Sequence, residues 1–381
     1  MTAPGPPTSF DSIADGPRGR RLLLELAIAS ALEERTGTTG WDLASSVMRA
    51  AHVLDPSSGA ILSFGSRSRE ASPELVTPAD VAALLGRSRF ASLTASMVRT
   101  ALVASVDSAR YWQEPDGTDA LAATRELAPA LSATLDRLML TDHGDWWSNS
   151  AALSAQFAVV WTGREGPAPA RARGTIAKWR RGIERMEANA AANWPRDAAA
   201  SFSGTWWSTP GSDVLSSSHL VERWNGPSGL WLIEDPLGWT DARILTVATP
   251  PSARVLEVDS AADWARLCAR HPISVTAQKR HDWYRTTGRV GPWIMPDWTA
   301  TADEYDAIHL TVNGYLRAAG TAIPVGPGDA SVIAGWAPDG TYWLTDATAE
   351  HDHSRMKLDS KGDWHIVSGP HHPVAPGAAR E

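Results

Sequence analysis

The hydrophobic pattern of the chain changes near Trp194, and this change constrains the fold more than any other feature. Residues 18–194 carry mainly helical patterns, with apolar side chains three or four positions apart. From residue 195 onward, short apolar runs alternate with Gly, Pro and Asp, which is typical of strands. Because helices and strands are segregated along the chain, we predict an α+β fold. A largely helical N-terminal half would pack on a mixed α+β, Trp-rich C-terminal half.

Local signals place the elements and divide the chain. Thr77-Pro78-Ala79-Asp80 combines an N-cap, a first-position Pro and an acid, and predicts a helix ending at Gly86. Further helices are predicted at 91–112, 129–140, 150–161 and 175–192. Strands are predicted at 229–233, 253–258, 273–276, 307–311, 331–336 and 341–344. The resulting regions are a disordered lead-in (1–17), a mainly helical region (18–194), the Trp-rich region with the site (195–346) and a loosely ordered tail (347–381).

Tryptophan is strongly over-represented. The chain has 19 Trp against five Tyr and five Phe, and most of the Trp residues lie from Trp194 onward. A tryptophan buries a large apolar area, and its indole N–H also needs a hydrogen-bond acceptor. The composition therefore predicts a bulky core, an aromatic-walled pocket, or both.

Charge and cysteine content narrow the function classes. A net charge of −8 over 381 residues argues against broad nucleic-acid binding. No apolar run is long enough to cross a membrane, and no basic segment precedes an apolar stretch at the N-terminus, so a cytoplasmic location is expected. The single cysteine, Cys268, excludes an intramolecular disulfide and a thiolate metal cage. It shares a helical face with Trp264 and Leu267, and we expect a core thiol.

Several catalytic signatures are missing from the sequence. It contains no glycine-rich phosphate loop, no Gly-x-Ser-x-Gly and no His-Glu-x-x-His. Its histidine clusters, His351-Asp352-His353 and His371-His372, fall in the predicted tail. We therefore expect neither a metal ion nor a cofactor.

The densest polar and aromatic stretch runs over residues 279–315 and supplies the predicted catalytic residues His309, Asp282 and Asp306. Strand alternation over 307–311 directs His309 away from the apolar face, where an imidazole can act as a base. The carboxylates would orient it or hold a substrate amine. The alternatives are a histidine held structurally by Asp306 and an Asp282 ion pair with a neighbouring arginine.

The predicted substrate-binding residues lie in the same region and at the N-terminus. Arg285 would clamp an anionic group, Asp297 would hold a substrate amine, and Trp298 and Trp336 would exclude water. The alternative for Asp297 is a cap on the helix that begins at Trp298.

Two other segments are candidates. Arg20 and Arg21 lie at a helix start, where cations are disfavoured unless they bind an anion; the alternative is a solvated basic patch. Glu234-Asp235 follows the predicted strand 229–233, a position that presents ligands in many α/β folds. The alternative there is a solvated strand end.

Four segments resemble a family of Trp-rich actinobacterial proteins: Ala109-Arg110-Tyr111-Trp112-Gln113-Glu114-Pro115, Pro296-Asp297-Trp298, Tyr305-Asp306-x-x-His309-Leu310-Thr311-x-x-Gly314-Tyr315-Leu316 and Ala334-Gly335-Trp336-x-Pro338-Asp339. In size and Trp content the chain is also similar to the larger subunit of two-component enzymes that close aziridine rings by displacing sulfate. That resemblance implies actinobacterial secondary metabolism, a small charged metabolite as substrate, a second, smaller protein subunit and an anion site at the N-terminal arginines.

A second resemblance is to the ADP-ribosyltransferase-like fold. It rests on Trp206-Trp207-Ser208-Thr209, Ser216-Ser217-Ser218 and the late strand pair within 336–343. The Glu-x-Glu or Gln-x-Glu that this fold carries on a late strand is missing.

We therefore predict a cofactor-independent, non-redox enzyme that acts on a small charged metabolite. Its reaction would be an intramolecular displacement in which the protein aligns an amine opposite a sulfate or similar leaving group. The alternatives are an NAD-using effector and a non-catalytic scaffold with a Trp-rich interface.

Overall fold

The computed structural model describes residues 12–34, 39–57, 75–163, 172–236 and 238–368. The predicted lead-in up to residue 11 and the pair His371-His372 lie outside these ranges. Within them, no helix is both long enough and apolar enough to cross a membrane.

The described helices are α1 (Pro17–Glu33), α2 (Thr39–Leu54), α3 (Pro78–Arg87), α4 (Ala95–Asp107), α5 (Gly117–Ala122), α6 (Ala128–Met139), α7 (Ala172–Asn193), α8 (Ala261–Arg270), α9 (Thr276–Thr287), α10 (Trp298–Glu304) and α11 (Val312–Ala318). The described strands are β1 (Gln156–Trp161), β2 (Ser216–Val221), β3 (Gly226–Pro227), β4 (Asp241–Ala248), β5 (Val255–Val258), β6 (Pro272–Ser274), β7 (Ile294–Pro296), β8 (Ala307–Leu310), β9 (Ile323–Pro324), β10 (Ala330–Ser331), β11 (Gly340–Trp343), β12 (Thr348–Leu358) and β13 (Trp364–Ser368).

The largest sheet is mixed and includes strands from β1 to β13. Its strand order is β13-β12-β4-β1-β2-β11-β8-β5, with β3 paired to β2. The β5–β8 pairing is parallel, and the other described pairings in this sheet are antiparallel. The fold is α+β, which confirms the predicted class.

The register separates two faces of the sheet. His309 lies opposite Glu257 on β5 and Thr341 on β11, and Thr341 lies opposite Ser217 on β2. Because directly opposed residues share a face, these four side chains lie on one side of the sheet. Residues of the neighbouring parity, such as Tyr342, lie on the other side with the larger hydrophobic core.

Some predicted elements are wrong. The segment predicted as a helix over 150–161 instead contains strand β1 at 156–161, whose positions alternate between buried and half-buried. No residue of the predicted strand at 229–233 is in a strand, and its start overlaps a short 3₁₀ turn, Ser228–Leu230. Near 331–336, only Ala330–Ser331 is a strand.

The predicted division of the chain also changes. Strand β1 comes from the region predicted to be mainly helical, yet it lies between β4 and β2 of the later region. The two regions therefore share one sheet. Part of the predicted lead-in is ordered, since Ser12 and Asp15 form a capping box and Ile13 is buried. Strands β12 and β13 occupy much of the segment predicted to be loosely ordered.

Tryptophans form a dense core under α8 and α10. The rings of Trp264, Trp298 and Trp336 contact one another with centroids 5.8 to 6.1 Å apart, and all three are fully buried. Cys268 is buried as expected, and its burial raises the pKa of the thiol to about 12. Trp298 and Trp336 are therefore core residues.

We expect Trp336→Ala to lower the free energy of unfolding by about 3–5 kcal/mol, because it leaves a cavity among three other aromatic rings. Urea unfolding would measure the change. The matched control is Trp41→Ala, since Trp41 is 75% exposed; a loss above about 1 kcal/mol there would contradict this explanation.

Candidate functional site

A cavity of about 320 Å³ lies on the face of the sheet that carries Tyr342. Several aromatic rings contribute to its walls, and we call it the aromatic cavity. The aromatic residues that line it are Phe157, Trp161, Trp206, Trp239 and Tyr342. The rest of the described lining is small or aliphatic, apart from the Ser216–Ser218 run and Glu234.

Glu234 is the carboxylic acid in the described lining of the aromatic cavity. Its Oε2 accepts a hydrogen bond from the Gly335 N–H at 2.7 Å, whereas Oε1 is inaccessible to water. Burial raises the pKa of Glu234 to about 8, against the opposing effects of Tyr315, the Gly335 N–H and Arg18. The Tyr315 hydroxyl is near enough to lower the pKa, but no hydrogen bond of ordinary geometry reaches Oε1. This acid can gain or lose a proton near neutral pH.

Asp235 fixes the backbone beside Glu234. Its φ of 45° lies in the left-handed region, which is costly for a residue other than glycine. Arg110 Nε contacts Asp235 Oδ1 at 3.1 Å, and Trp112 Nε1 donates to Oδ2 at 3.3 Å. These contacts hold Asp235 away from the cavity that Glu234 lines. The pair Glu234-Asp235 thus follows a turn, where the sequence predicted a strand.

The predicted site residues Asp282 and Arg285 anchor a segment without regular secondary structure, residues 202–207. Asp282 is fully buried and accepts hydrogen bonds from Ser203 Oγ at 2.9 Å and the Gly204 N–H at 2.8 Å. Arg285 donates to the Phe202 carbonyl at 2.8 Å and pairs with Asp282 at 2.5 Å. The predicted alternative of an Asp282 ion pair is therefore present.

Two further α9 residues complete this anchor. The Lys279 Nζ donates to the Trp207 carbonyl at 2.7 Å and to Thr205 Oγ1 at 2.9 Å. Trp283 Nε1 donates to the Trp206 carbonyl at 2.7 Å. Burial lowers the pKa of Lys279 to about 7, although nearby carboxylates oppose the change. The polar face of α9 thereby positions Trp206, which lines the aromatic cavity.

His309 lies on the opposite face of the sheet from Tyr342, between two carboxylates. Its Nδ1 is 2.5 Å from Glu257 Oε2, and its Nε2 is 3.3 Å from Asp339 Oδ1. Burial lowers the pKa of His309, but Asp339 and Glu257 outweigh it and raise the pKa to about 9. A protonated imidazole with both nitrogens engaged has no lone pair with which to act as a base. The structural alternative fits His309, with Glu257 and Asp339 as partners in place of Asp306.

Asp339 extends this network. It accepts hydrogen bonds from Ser228 Oγ at 2.5 Å and from the His219 backbone N–H at 3.1 Å. The His219 Nδ1 is also 2.5 Å from Asp339. Desolvation raises the pKa of Asp339, but the opposite effect of His219 and His309 is larger, so the net pKa is below the usual value.

The remaining predicted residues are separate from His309 or paired. Asp306 pairs with Arg254, with its Oδ2 3.2 Å from Arg254 Nε. Asp297 caps α10 by accepting a hydrogen bond from the Thr299 N–H at 3.0 Å, so the capping alternative is confirmed.

Arg20 and Arg21 have different surroundings. Arg21 pairs with Glu25 at 2.8 Å and with Asp116 and Asp119 at 3.1 Å each. Arg20 Nη1 donates to the Asp15 carbonyl at 2.5 Å. Arg21 is therefore ion-paired with carboxylates, whereas Arg20 donates a hydrogen bond to a backbone carbonyl and has no described ion pair.

The aromatic cavity combines residues that the sequence did not group. Trp161 and Tyr342 come from strands far from Glu234 in the chain, and the sheet brings them near it, whereas Trp239 follows Glu234 closely in sequence. The one local signal was the position of Glu234-Asp235 after an apolar run. In the described ranges, no group of three or more His, Cys, Asp or Glu residues is arranged to hold a metal ion.

No protein-family model, curated protein or solved structure matches this chain. The resemblances drawn from the sequence stay predictions, and the function is inferred from the geometry of the site.

We expect His309→Gln to lower the free energy of unfolding by about 1–3 kcal/mol at pH 6, because it removes a buried cation between two carboxylates. The raised pKa stabilises the fold fully below pH 6.5, and this contribution is lost as the pH rises through about 9. The difference between variant and wild type should therefore shrink by pH 10 in urea unfolding.

The matched control is His365→Gln, because His365 is 62% exposed and pairs with Asp359 at the surface. It should show little change at either pH. An equal loss for His309→Gln at pH 6 and pH 10 would contradict the charged state that we assign to His309.

Proposed function

We propose that this chain is a non-redox enzyme that binds a small amine-bearing molecule in the aromatic cavity. Glu234 takes up or returns the proton of the substrate ammonium group. The observation that carries the proposal is a buried carboxyl group, with a pKa of about 8, in the wall of a cavity lined by Trp and Tyr rings.

The walls favour a cation. The faces of Trp and Tyr rings attract ammonium groups, most strongly where water is excluded. Trp161 and Trp239 stack with ring centroids 4.9 Å apart beside the cavity. The described lining contains no Arg or Lys that would repel an ammonium group. A volume of about 320 Å³ suits a small metabolite.

Glu234 supplies the acid–base chemistry. A group with a pKa near the working pH can both accept and return a proton efficiently. When an ammonium group transfers its proton to the Glu234 carboxylate, the product is a neutral amine with a free lone pair. That amine can attack a carbon that carries a leaving group, and the Ser216 and Ser218 hydroxyls offer hydrogen bonds for orientation.

Ring closure with loss of sulfate is the narrower reaction implied by the resemblance to aziridine-forming enzymes. Glu234 suits its deprotonation step, whereas the described lining offers no Arg or Lys for the leaving sulfate. We therefore base the proposal on the amine. The sulfate chemistry, the smaller partner subunit and the NAD-using alternative stay predictions.

Cation binding tests the site. We expect choline to bind, and its affinity to rise by up to about tenfold per pH unit until about pH 8, because ionised Glu234 attracts the cation and protonated Glu234 does not. The neutral isostere 3,3-dimethylbutan-1-ol should bind more weakly and without this pH dependence. Isothermal titration calorimetry between pH 6 and pH 9 would measure both.

Glu234→Gln should weaken choline binding at pH 9 and abolish its pH dependence. The matched control is Glu222→Gln, which removes the same charge at an exposed position. The raised pKa of Glu234 costs wild type stability as the pH rises from 4.5 to about 8, so Glu234→Gln should be at least as stable at pH 9. Choline binding that is unchanged in Glu234→Gln would refute the proposed site.

Catalysis is tested with 2-aminoethyl hydrogen sulfate. Ring closure of this compound forms aziridine and releases sulfate, which ion chromatography detects. Release by wild type and Glu222→Gln, but not by Glu234→Gln, is the expected result for the sulfate-eliminating reaction. Equal release by all three proteins would exclude Glu234 from the reaction.

A further inference from the structure

A second and larger cavity lies near the start of α1. Its volume is about 550 Å³, and we call it the arginine cavity. The described residues that line it include three arginines and three acids, with Ser108, Tyr111 and Thr321 between them: Arg18, Arg20, Arg110, Glu114, Asp116 and Asp119. Leu54, Pro56, Pro115 and Ala322 give it an apolar side.

Two of its three arginines are already neutralised. Arg18 is buried in an ion pair with Asp119, and it donates to the Ser105 carbonyl at 2.9 Å. Arg110 pairs with Asp235 at 3.1 Å. Asp119 also pairs with Arg21, so this carboxylate already has two arginine partners, and Arg20 is not one of them.

Arg20 has no ion pair within the described ranges. Its Nη1 donates to the Asp15 carbonyl at 2.5 Å, and its Nε is buried without a hydrogen-bond partner. No described protein atom accepts a hydrogen bond from Nη2. Burial lowers the pKa of Arg20, and the neighbouring charge of Arg18 lowers it further, while Asp119 and Asp15 oppose these effects. The guanidinium group is thus partly desolvated without a carboxylate partner.

We propose that the arginine cavity binds a small organic anion, a carboxylate or a phosphate monoester, whose charged group pairs with Arg20. Guanidinium groups form charge-assisted, often bidentate hydrogen bonds with both kinds of anion. The cavity is much larger than a bare phosphate ion, and its apolar side fits the organic part of the ligand. This inference does not depend on the function that we propose for Glu234.

Isothermal titration calorimetry at constant ionic strength tests the proposal with phenyl phosphate and phenylacetate. Wild type should bind at least one of them, and the tighter of the two identifies the preferred anion. Phenol should bind at least about tenfold more weakly, because it lacks the charge, and inorganic phosphate should also bind more weakly, because it lacks the apolar part. Absence of binding by both organic anions at about 10 mM, roughly ten times the weakest affinity usual for a metabolite, would overturn the proposal.

Arg20→Gln should reduce the affinity for the bound anion by at least about tenfold, and Arg20→Lys should restore part of it. The control Arg125→Gln removes the same charge at an exposed side chain and should bind like wild type. Glu234→Gln should also retain binding, which separates this site from the aromatic cavity. Unchanged affinity in Arg20→Gln, or an equal loss in Arg125→Gln, would overturn the assignment to Arg20. Equal thermal midpoints of wild type, Arg20→Gln and Arg20→Lys would exclude misfolding as the cause of any loss.

Discussion

A buried carboxylate, Asp339, holds together parts of the sheet that are far apart in sequence. It accepts hydrogen bonds from His219 on β2 and from Ser228 in the following turn, and it contacts His309 on β8. His309 in turn contacts Glu257 on β5. A buried charge is tolerated only when it is paired and hydrogen-bonded, so this arrangement fixes the register of several strands at once. The position of the turn before Glu234 depends on it.

The two faces of the sheet differ in how their charged groups are paired. On one face the charges neutralise one another, and His309 is committed to its carboxylate partners. On the other face, Glu234 has a single backbone donor at Oε2 and no ion pair among the described residues. Glu234 is therefore the group that is not held in an ion pair and can exchange a proton, although a histidine in a strand is the more conspicuous feature of the sequence.

Polar side chains that look catalytic in sequence often hold backbone in place. The α9 helix puts Lys279, Asp282 and Arg285 against the segment 202–207, which needs hydrogen-bond partners because it is not part of a strand. Gly204 is required there, since a Cβ would approach the Gln278 carbonyl to 2.7 Å. The result of this anchoring is the placement of Trp206 at the aromatic cavity.

The sequence by itself determined the α+β class and the burial of Cys268, and it offered the capping of α10 by Asp297 as the alternative to a site role. These features depend on local periodicity and on hydrogen bonds a few residues apart. It also indicated that Trp residues would form a core or a pocket, and both are present. Only the tertiary structure decided that β1 is a central strand, that His309 is paired on both sides, and that Glu234 lines one cavity with Trp161 and Tyr342. These outcomes depend on strand register and on burial by distant residues, which no local pattern encodes.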